Sequence, residues 1–162
     1  MNSSKKFEIL IGKLYERKGY KVELNKVLKG RSGALHEFDG YCTKKGKELV
    51  FEAKYISRPV SLDDFSRFLT AVDDCKIEEA HLITNSYFSE NVLNLASTYK
   101  IKLFDGEKLK AELKKYGLEG FIRRDTLFSL LAKIIVGYFD KKAFSKIFDE
   151  KILFLDLENL TT

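Results

Sequence analysis

The segment between residues 37 and 56 constrains the fold of this chain most, because it alternates as the two strands of a β-hairpin. Its arms are Glu37–Cys42 and Leu49–Ile56. A two-residue turn at Lys45-Gly46 makes the residue numbers of every facing pair sum to 91, which places Asp39 directly opposite Glu52. Facing residues hold their Cβ atoms about 4.5–5.5 Å apart, so two carboxylates placed in this way repel each other. The hairpin therefore predicts a divalent cation between them.

The same hairpin predicts which side chains share a face. Strand alternation puts Glu52 and Lys54 on one face and the apolar Phe51 on the other. Lys-Gly fits a two-residue turn less well than Asn-Gly or Asp-Gly. A three-residue loop would shift the register by one and leave Asp39 diagonal to Glu52, still close but not facing. Both registers bring an acid, a second acid and an amine to one place.

Composition predicts a single well-packed core with a small appendage. The chain has 162 residues, of which 44% are hydrophobic and 33% are charged, enough for one core and a solvated surface. Cys42 and Cys75 lie far apart in the sequence and do not form a zinc spacing. The start, Met1–Lys6, leads into an amphipathic helix rather than an apolar signal region. The most apolar window, 126–139, is shorter than the ~20 residues that cross a bilayer. We therefore expect a cytoplasmic protein that does not enter membranes.

The positive charge of the chain is concentrated in its first third. Residues 1–60 hold 14 Lys and Arg against 7 Asp and Glu, and the rest of the chain holds 15 against 17. A basic field around an acidic pocket suits a polyanion with a metal at its centre. A Lys-rich solvated surface explains the charge alone equally well.

Apolar spacing in the remaining segments predicts helices that alternate with strands. A first helix, capped by Ser3 or Ser4, ends at Gly19, and a strand follows at 20–28. After the hairpin, a helix to about residue 76, strand 80–84, helix 90–99, strand 101–104 and helix 107–116 are expected. Early hairpins followed by crossovers indicate an α/β fold with a mixed β-sheet flanked by helices. The boundary is predicted at 117–120, giving a domain at 1–116 and a small, mainly helical C-terminal extension at 117–162.

Four segments in this order resemble the Mrr-like branch of the PD-(D/E)XK nucleases, which have the restriction-endonuclease-like fold. The segments are the opening helix with Phe7-Glu8, Asp39 followed by Glu52-Ala53-Lys54, the segment 83–89 and the segment 101–109. Together they span residues 5 to about 110. The sequence departs from the family motif at Phe38, where the motif has Pro.

The resemblance implies a magnesium-dependent DNA endonuclease, with Mn²⁺ as an alternative metal. Asp39, Glu52 and the Ala53 carbonyl would be the metal ligands, because Mg²⁺ takes oxygen ligands. Lys54 would orient or activate the attacking water, or stabilise developing charge. Glu8 matches the first-helix acid of the family, although a solvated first-turn acid is an equal alternative.

The DNA contacts and the biological role stay open at this level. Lys29, Arg31 and Ser32 lie in a Gly-punctuated loop that could bind backbone phosphates, or simply be solvated. Three functions compete: a restriction, defence or repair endonuclease; a Holliday-junction resolvase of the archaeal type; and a DNA-binding module without catalysis. Nucleases of this fold often act as dimers, and the apolar tail is a candidate homodimer interface.

Overall fold

The structure is a computed structural model that describes residues 2–99 and 101–118. Those residues form four helices and five strands in the order α, three β, then αβαβα. The elements are α1 (Ser3–Arg17), β1 (Lys21–Lys29), β2 (Leu35–Lys44), β3 (Lys47–Lys54), α2 (Leu62–Asp74), β4 (Ala80–Thr84), α3 (Glu90–Ala96), β5 (Ile101–Phe104) and α4 (Gly106–Lys115). The predicted α/β class and element order are confirmed.

The five strands form one mixed sheet in sequence order, β1-β2-β3-β4-β5. The first three strands are antiparallel, and β3, β4 and β5 are parallel. The two-residue turn is confirmed, since Lys44 pairs with Lys47 and the ladder runs in the same register to Gly40 opposite Phe51. Lys45 and Gly46 both have positive φ, at 50° and 76°, as a turn whose twist matches that of the strands requires. Lysine can therefore occupy this turn.

Helices cover both faces of the sheet. On one face α2 and α3 pack through Phe65, Phe68 and Val92 onto sheet residues that include Val50 and Leu82. On the other face Tyr15 of α1 stacks on Phe51 with ring centroids 5.1 Å apart. α4 lies beside α1 on that face, where Lys18 and Glu112 form a 2.5 Å ion pair. The hydrophobic core therefore has one layer on each side of the sheet.

The β1–β2 hairpin reverses its faces at Asn25. Leu24 contacts α1 at Gly12, whereas Phe38, which pairs with Lys26, packs into the core beneath α2. Residues 24 and 26 would share a face in a regular strand. Asn25 has φ +52°, a left-handed conformation that asparagine tolerates better than most residues. This kink turns both strands over at the position of Asp39.

The helix ends differ from their predicted positions by a few residues. Asn2, rather than Ser3 or Ser4, caps α1 by accepting from the Lys5 N–H at 2.9 Å. The predicted capping box at Ser61 and Asp64 is confirmed. α2 ends at Asp74 and α3 at Ala96, both shorter than predicted, because helix ends lack intrahelical partners and the apolar pattern does not mark them.

Most of the predicted extension at 117–162 lies outside the described residues, which end at Leu118 in this region. Leu118 is buried, and its N–H donates to the Leu113 carbonyl at 2.8 Å. Within 2–99 and 101–118, the helices are all too short or too polar to span a bilayer.

Gly40 is expected to be required beneath the Phe51 ring. A Cβ atom on Gly40 would lie 2.1 Å from Phe51 Cε1, and that ring is fully buried. Gly40→Ala should therefore lower the free energy of unfolding by about 1–3 kcal/mol. Urea denaturation of Gly40→Ala in the wild-type and Phe51→Leu backgrounds provides the check. The cost should fall when the ring is absent, and an equal cost in both backgrounds would contradict this explanation.

Candidate active site

Asp39, Glu52 and Lys54 meet at the end of the sheet where β3 finishes. The β2–β3 ladder ends with Gly40 opposite Phe51, and Asp39 and Glu52 are the next residues on the two strands. The Asp39 carboxylate accepts a 2.8 Å hydrogen bond from the Ala53 N–H. The Nζ atom of Lys54 lies 2.5 Å from Glu52 Oε1. The structure thus brings together the two acids and the amine that the hairpin pattern predicts.

Within this cluster, the ionised form of the Asp39 carboxyl is disfavoured by its surroundings. The pKa of its carboxyl is raised from 3.8 to about 7, mainly by burial and then by the charge of Glu52, with Glu8 adding to the effect. The Ala53 N–H and the Lys54 ammonium act in the opposite direction but do not cancel the rise. Carboxylates that are partly removed from water and close together favour a proton or a cation between them.

Lys54 is held in its charged form. Burial acts to lower its pKa, but the hydrogen bond and charge of Glu52, followed by the charges of Asp39 and Asp64, raise the pKa above the usual 10.5. The sequence alone did not decide whether the pKa of Lys54 is raised or lowered. The amine therefore presents an ammonium group to anything bound at the acids.

Glu8 approaches the same place from the first turns of α1. Its charge acts on Asp39, and its carboxylate forms a 2.8 Å ion pair with Lys5. The Lys5 ammonium also donates to the Asn25 side chain at the hairpin kink. Sequence reasoning missed Lys5 and Asn25, because their roles depend on α1 lying against the kink and no local pattern marks this.

The predicted DNA-binding loop is tied to the end of α2. The Ser32 N–H and hydroxyl donate to the Asp74 carboxylate at 2.9 and 2.7 Å, and His36 Nε2 lies 2.8 Å from it. Arg31 binds Asp73 at 3.3 Å. These contacts hold the pKa of Asp74 at about 2, with the Ser32 hydroxyl as the largest cause. Lys29 is exposed. Of the three predicted DNA-binding residues, Arg31 and Ser32 are thus the two that contact the end of α2.

The donor set suits a cation that keeps part of its water shell. Among the described residues, no group of three or more His, Cys, Asp or Glu side chains is arranged to hold a metal ion. Asp39 and Glu52 offer two carboxylates, and the backbone carbonyl of Ala53 belongs to the residue that follows Glu52. Mg²⁺ usually binds through one or two carboxylates and retains several waters. The raised pKa of Asp39 indicates negative charge that such a cation would neutralise.

Comparison with known families agrees with the resemblance seen in the sequence. The family model Mrr_cat, described as a restriction endonuclease, matches residues 1–113. The chain belongs to this family. No curated protein sequence matches the chain significantly.

Solved structures share the fold of this Mrr_cat domain. A crystal structure titled as a protein of unknown function, AF1548, aligns with a TM-score of 0.63 and 21% identity over 72% of this chain and 67% of that one. AspBHI, titled a DNA modification-dependent restriction endonuclease, aligns with a TM-score of 0.51 and 18% identity over 70% of this chain and 32% of its own.

A third structure, a repair endonuclease from Pyrococcus abyssi, aligns with a TM-score of 0.50 and 19% identity over 65% of this chain and 47% of that one. The chain thus spans only a third to a half of these two endonucleases. The domain is a nuclease-type domain of the restriction-endonuclease-like superfamily.

The raised pKa of Asp39 should make the protein less stable as pH rises. A folded pKa of about 7 against 3.8 unfolded means that the folded state binds the extra proton, so stability falls between these values and stays low above them. Asp39→Asn should therefore increase the free energy of unfolding at pH 8 by on the order of 2–4 kcal/mol, and by almost nothing near pH 4. Urea titrations at both pH values measure the difference.

Asp64 provides a control with the opposite sign. The Arg58 hydrogen bond holds the pKa of Asp64 well below its usual range, so Asp64→Asn should destabilise the protein at pH 8. A stabilising effect of both substitutions, or of neither, would refute the electrostatic explanation.

Proposed function

We propose that this protein is a magnesium-dependent endonuclease that hydrolyses phosphodiester bonds in DNA. The observation that supports this most strongly is the cluster of Asp39, Glu52 and Lys54 at the end of β3, inside a domain of the Mrr_cat family. Mn²⁺ is an alternative metal. Restriction, defence or repair is the role that fits the family.

Different residues of the cluster would bind the metal and stabilise the reacting phosphate. Asp39 and Glu52, with the Ala53 carbonyl, would hold the ion, and the Ala53 N–H that donates to Asp39 would fix the orientation of its carboxylate. A bound Mg²⁺ supplies an acidified water and offsets charge on the scissile phosphate. Lys54, 2.5 Å from Glu52, would donate a hydrogen bond to the attacking water or to the phosphate oxygens as negative charge develops. Glu8 would act through solvent or through Lys5.

DNA as the substrate is supported by charge. The excess of Lys and Arg falls within residues 1–60, which supply α1 and all three antiparallel strands around the acids. Positive surface around a small acidic centre attracts a polyanion while leaving room for a metal at the point of cleavage.

Cleavage should require both the metal and the cluster. Supercoiled plasmid, a four-way junction and a linear duplex, each with Mg²⁺ or EDTA, should show cutting only with Mg²⁺. Asp39→Ala and Lys54→Ala should each reduce the rate by about 10²-fold or more, because each removes charge stabilisation at the reacting phosphate. Gel analysis of nicked and linear products gives the rates.

Exposed residues of the same type serve as matched controls. Lys110→Ala on α4 and Asp63→Ala on α2 should cut at the wild-type rate. Metal-dependent cutting that survives Asp39→Ala and Lys54→Ala would exclude this site. Preferential cutting of the junction would assign the protein to structure-selective resolvases, and binding to all three substrates without cutting would indicate a DNA-binding module.

Metal binding can be measured without DNA. Mg²⁺ at about ten times its Kd should stabilise the wild-type protein by about 1.4 kcal/mol, which raises Tm by a few degrees. Asp39→Asn should lose this increase, whereas Asp63→Asn should keep it. Differential scanning calorimetry at constant ionic strength measures both, and an equal rise in all three proteins would show that the ion binds elsewhere.

A further inference from the structure

The β1–β2 hairpin continues after β2 has stopped pairing with β3. The β2–β3 ladder stops at Gly40 and Phe51, but β1 and β2 continue to pair from Lys26 with Phe38 as far as Lys29 with Leu35. Residues 26–38, called the arm here, therefore pair only with each other, next to the last residues of β3 that include Glu52 and Lys54.

Contacts with α2 hold the arm in place. Phe38 is fully buried, and its ring meets the ring of Phe68 edge-on with centroids 6.2 Å apart. At the tip, Asp74 binds Ser32 and His36. A Cβ atom on Gly30 would lie 1.8 Å from the Asp74 carboxylate, so the tip and the helix end fit closely. The arm is therefore packed as a defined element.

The opposite face of the arm is exposed and partly apolar. Val27, Lys29, Leu35 and Glu37 alternate with the residues that face α2, and all four are exposed. Val27 is 49% and Leu35 is 70% exposed. Lys29 is the direct cross-strand partner of Leu35, and Glu37 is the partner of Val27. Along β2 this face runs from Leu35 to Glu37, and Asp39, at the reversal, follows two residues later.

We propose that the exposed face of the arm enters the minor groove of the duplex that is cleaved, with Leu35 and Val27 as apolar contacts and Lys29 as the phosphate contact. This rests on the proposed nuclease function and adds a specificity element to it. Apolar side chains beside a cation are the combination that minor-groove proteins use. Positive charge at Lys29 and the position of Asp39 at the base of the arm favour DNA over a second copy of the chain as the occupant.

The geometry also predicts where the arm touches DNA. Leu35 and Asp39 are four residues apart on one strand, which corresponds to about 13 Å at ~3.3 Å per residue. With a rise of ~3.4 Å per base pair, the arm would contact DNA about four base pairs from the scissile phosphate.

Binding to a fluorescein-labelled 20-base-pair duplex in EDTA tests the arm separately from cleavage. Fluorescence anisotropy over a range of salt concentrations gives both affinity and salt slope. Lys29→Gln should weaken binding roughly eightfold at 0.1 M salt and reduce the slope by about one, because one counterion fewer is released. The double variant Val27→Thr, Leu35→Ser should weaken binding about tenfold with an unchanged slope, since it removes apolar contact only.

Glu37 gives a variant with the opposite sign. Glu37→Gln removes a negative charge from the same face and should strengthen binding, whereas Glu107→Gln on α4 should leave it unchanged. Netropsin, which occupies the minor groove, should compete with the wild-type protein. Thermal unfolding checks that each variant remains folded, which the exposure of these side chains favours.

The outcomes separate the arm from the catalytic site. Wild-type affinity in the arm variants, competition by a major-groove ligand only, or no duplex binding by the wild type would overturn the inference. A change in sedimentation with unchanged DNA binding would assign the patch to self-association and overturn it as well. If the wild type binds DNA through the arm but cuts nothing with Mg²⁺, the inference holds and the proposed nuclease function fails.

Discussion

Repulsion between Asp39 and Glu52, at a place partly removed from water, is the constraint on which the functional part of this structure depends. A fold gains nothing in stability from such a pair, as the raised pKa of Asp39 shows. The pair is tolerated because the hairpin register fixes both residues, the Ala53 N–H binds one carboxylate and the Lys54 ammonium binds the other. The rest of the structure supplies the packing that offsets this cost.

That packing comes from both faces of β3. Val50 points into the core beneath α2, and Phe51 stacks on Tyr15 of α1. Both side chains are fully buried, and a buried aliphatic or aromatic side chain contributes about 1.5–3 kcal/mol. Because Val50 and Phe51 are buried immediately before Glu52, packing fixes the position of Glu52 close to Asp39. Val50 and Phe51 therefore anchor β3 immediately before the candidate site residues Glu52 and Lys54.

The kink at Asn25 allows the β1–β2 hairpin to pack against helices on both faces of the sheet. Before it, β1 presents Leu24 to α1, and after it the arm presents Phe38 and Leu28 to the core beneath α2. Asp39 lies at the reversal, which explains how it is affected by Glu8 on one side of the sheet and Glu52 on the other. The Asp74 contacts with Ser32 and His36 then hold the far end of the hairpin.

The sequence alone was sufficient for the class of the fold, the order of its elements and the register of the β2–β3 hairpin. Each of these depends on local periodicity or on a two-residue turn, so the pattern around Lys45-Gly46 predicts that Asp39, Glu52 and Lys54 converge. Only the tertiary structure decided the kink at Asn25, the approach of Lys5 and Glu8, and the engagement of Ser32 by Asp74. These contacts join residues some 20 to 42 positions apart, and they depend on how helices dock on the sheet, which side-chain spacing along one segment does not encode.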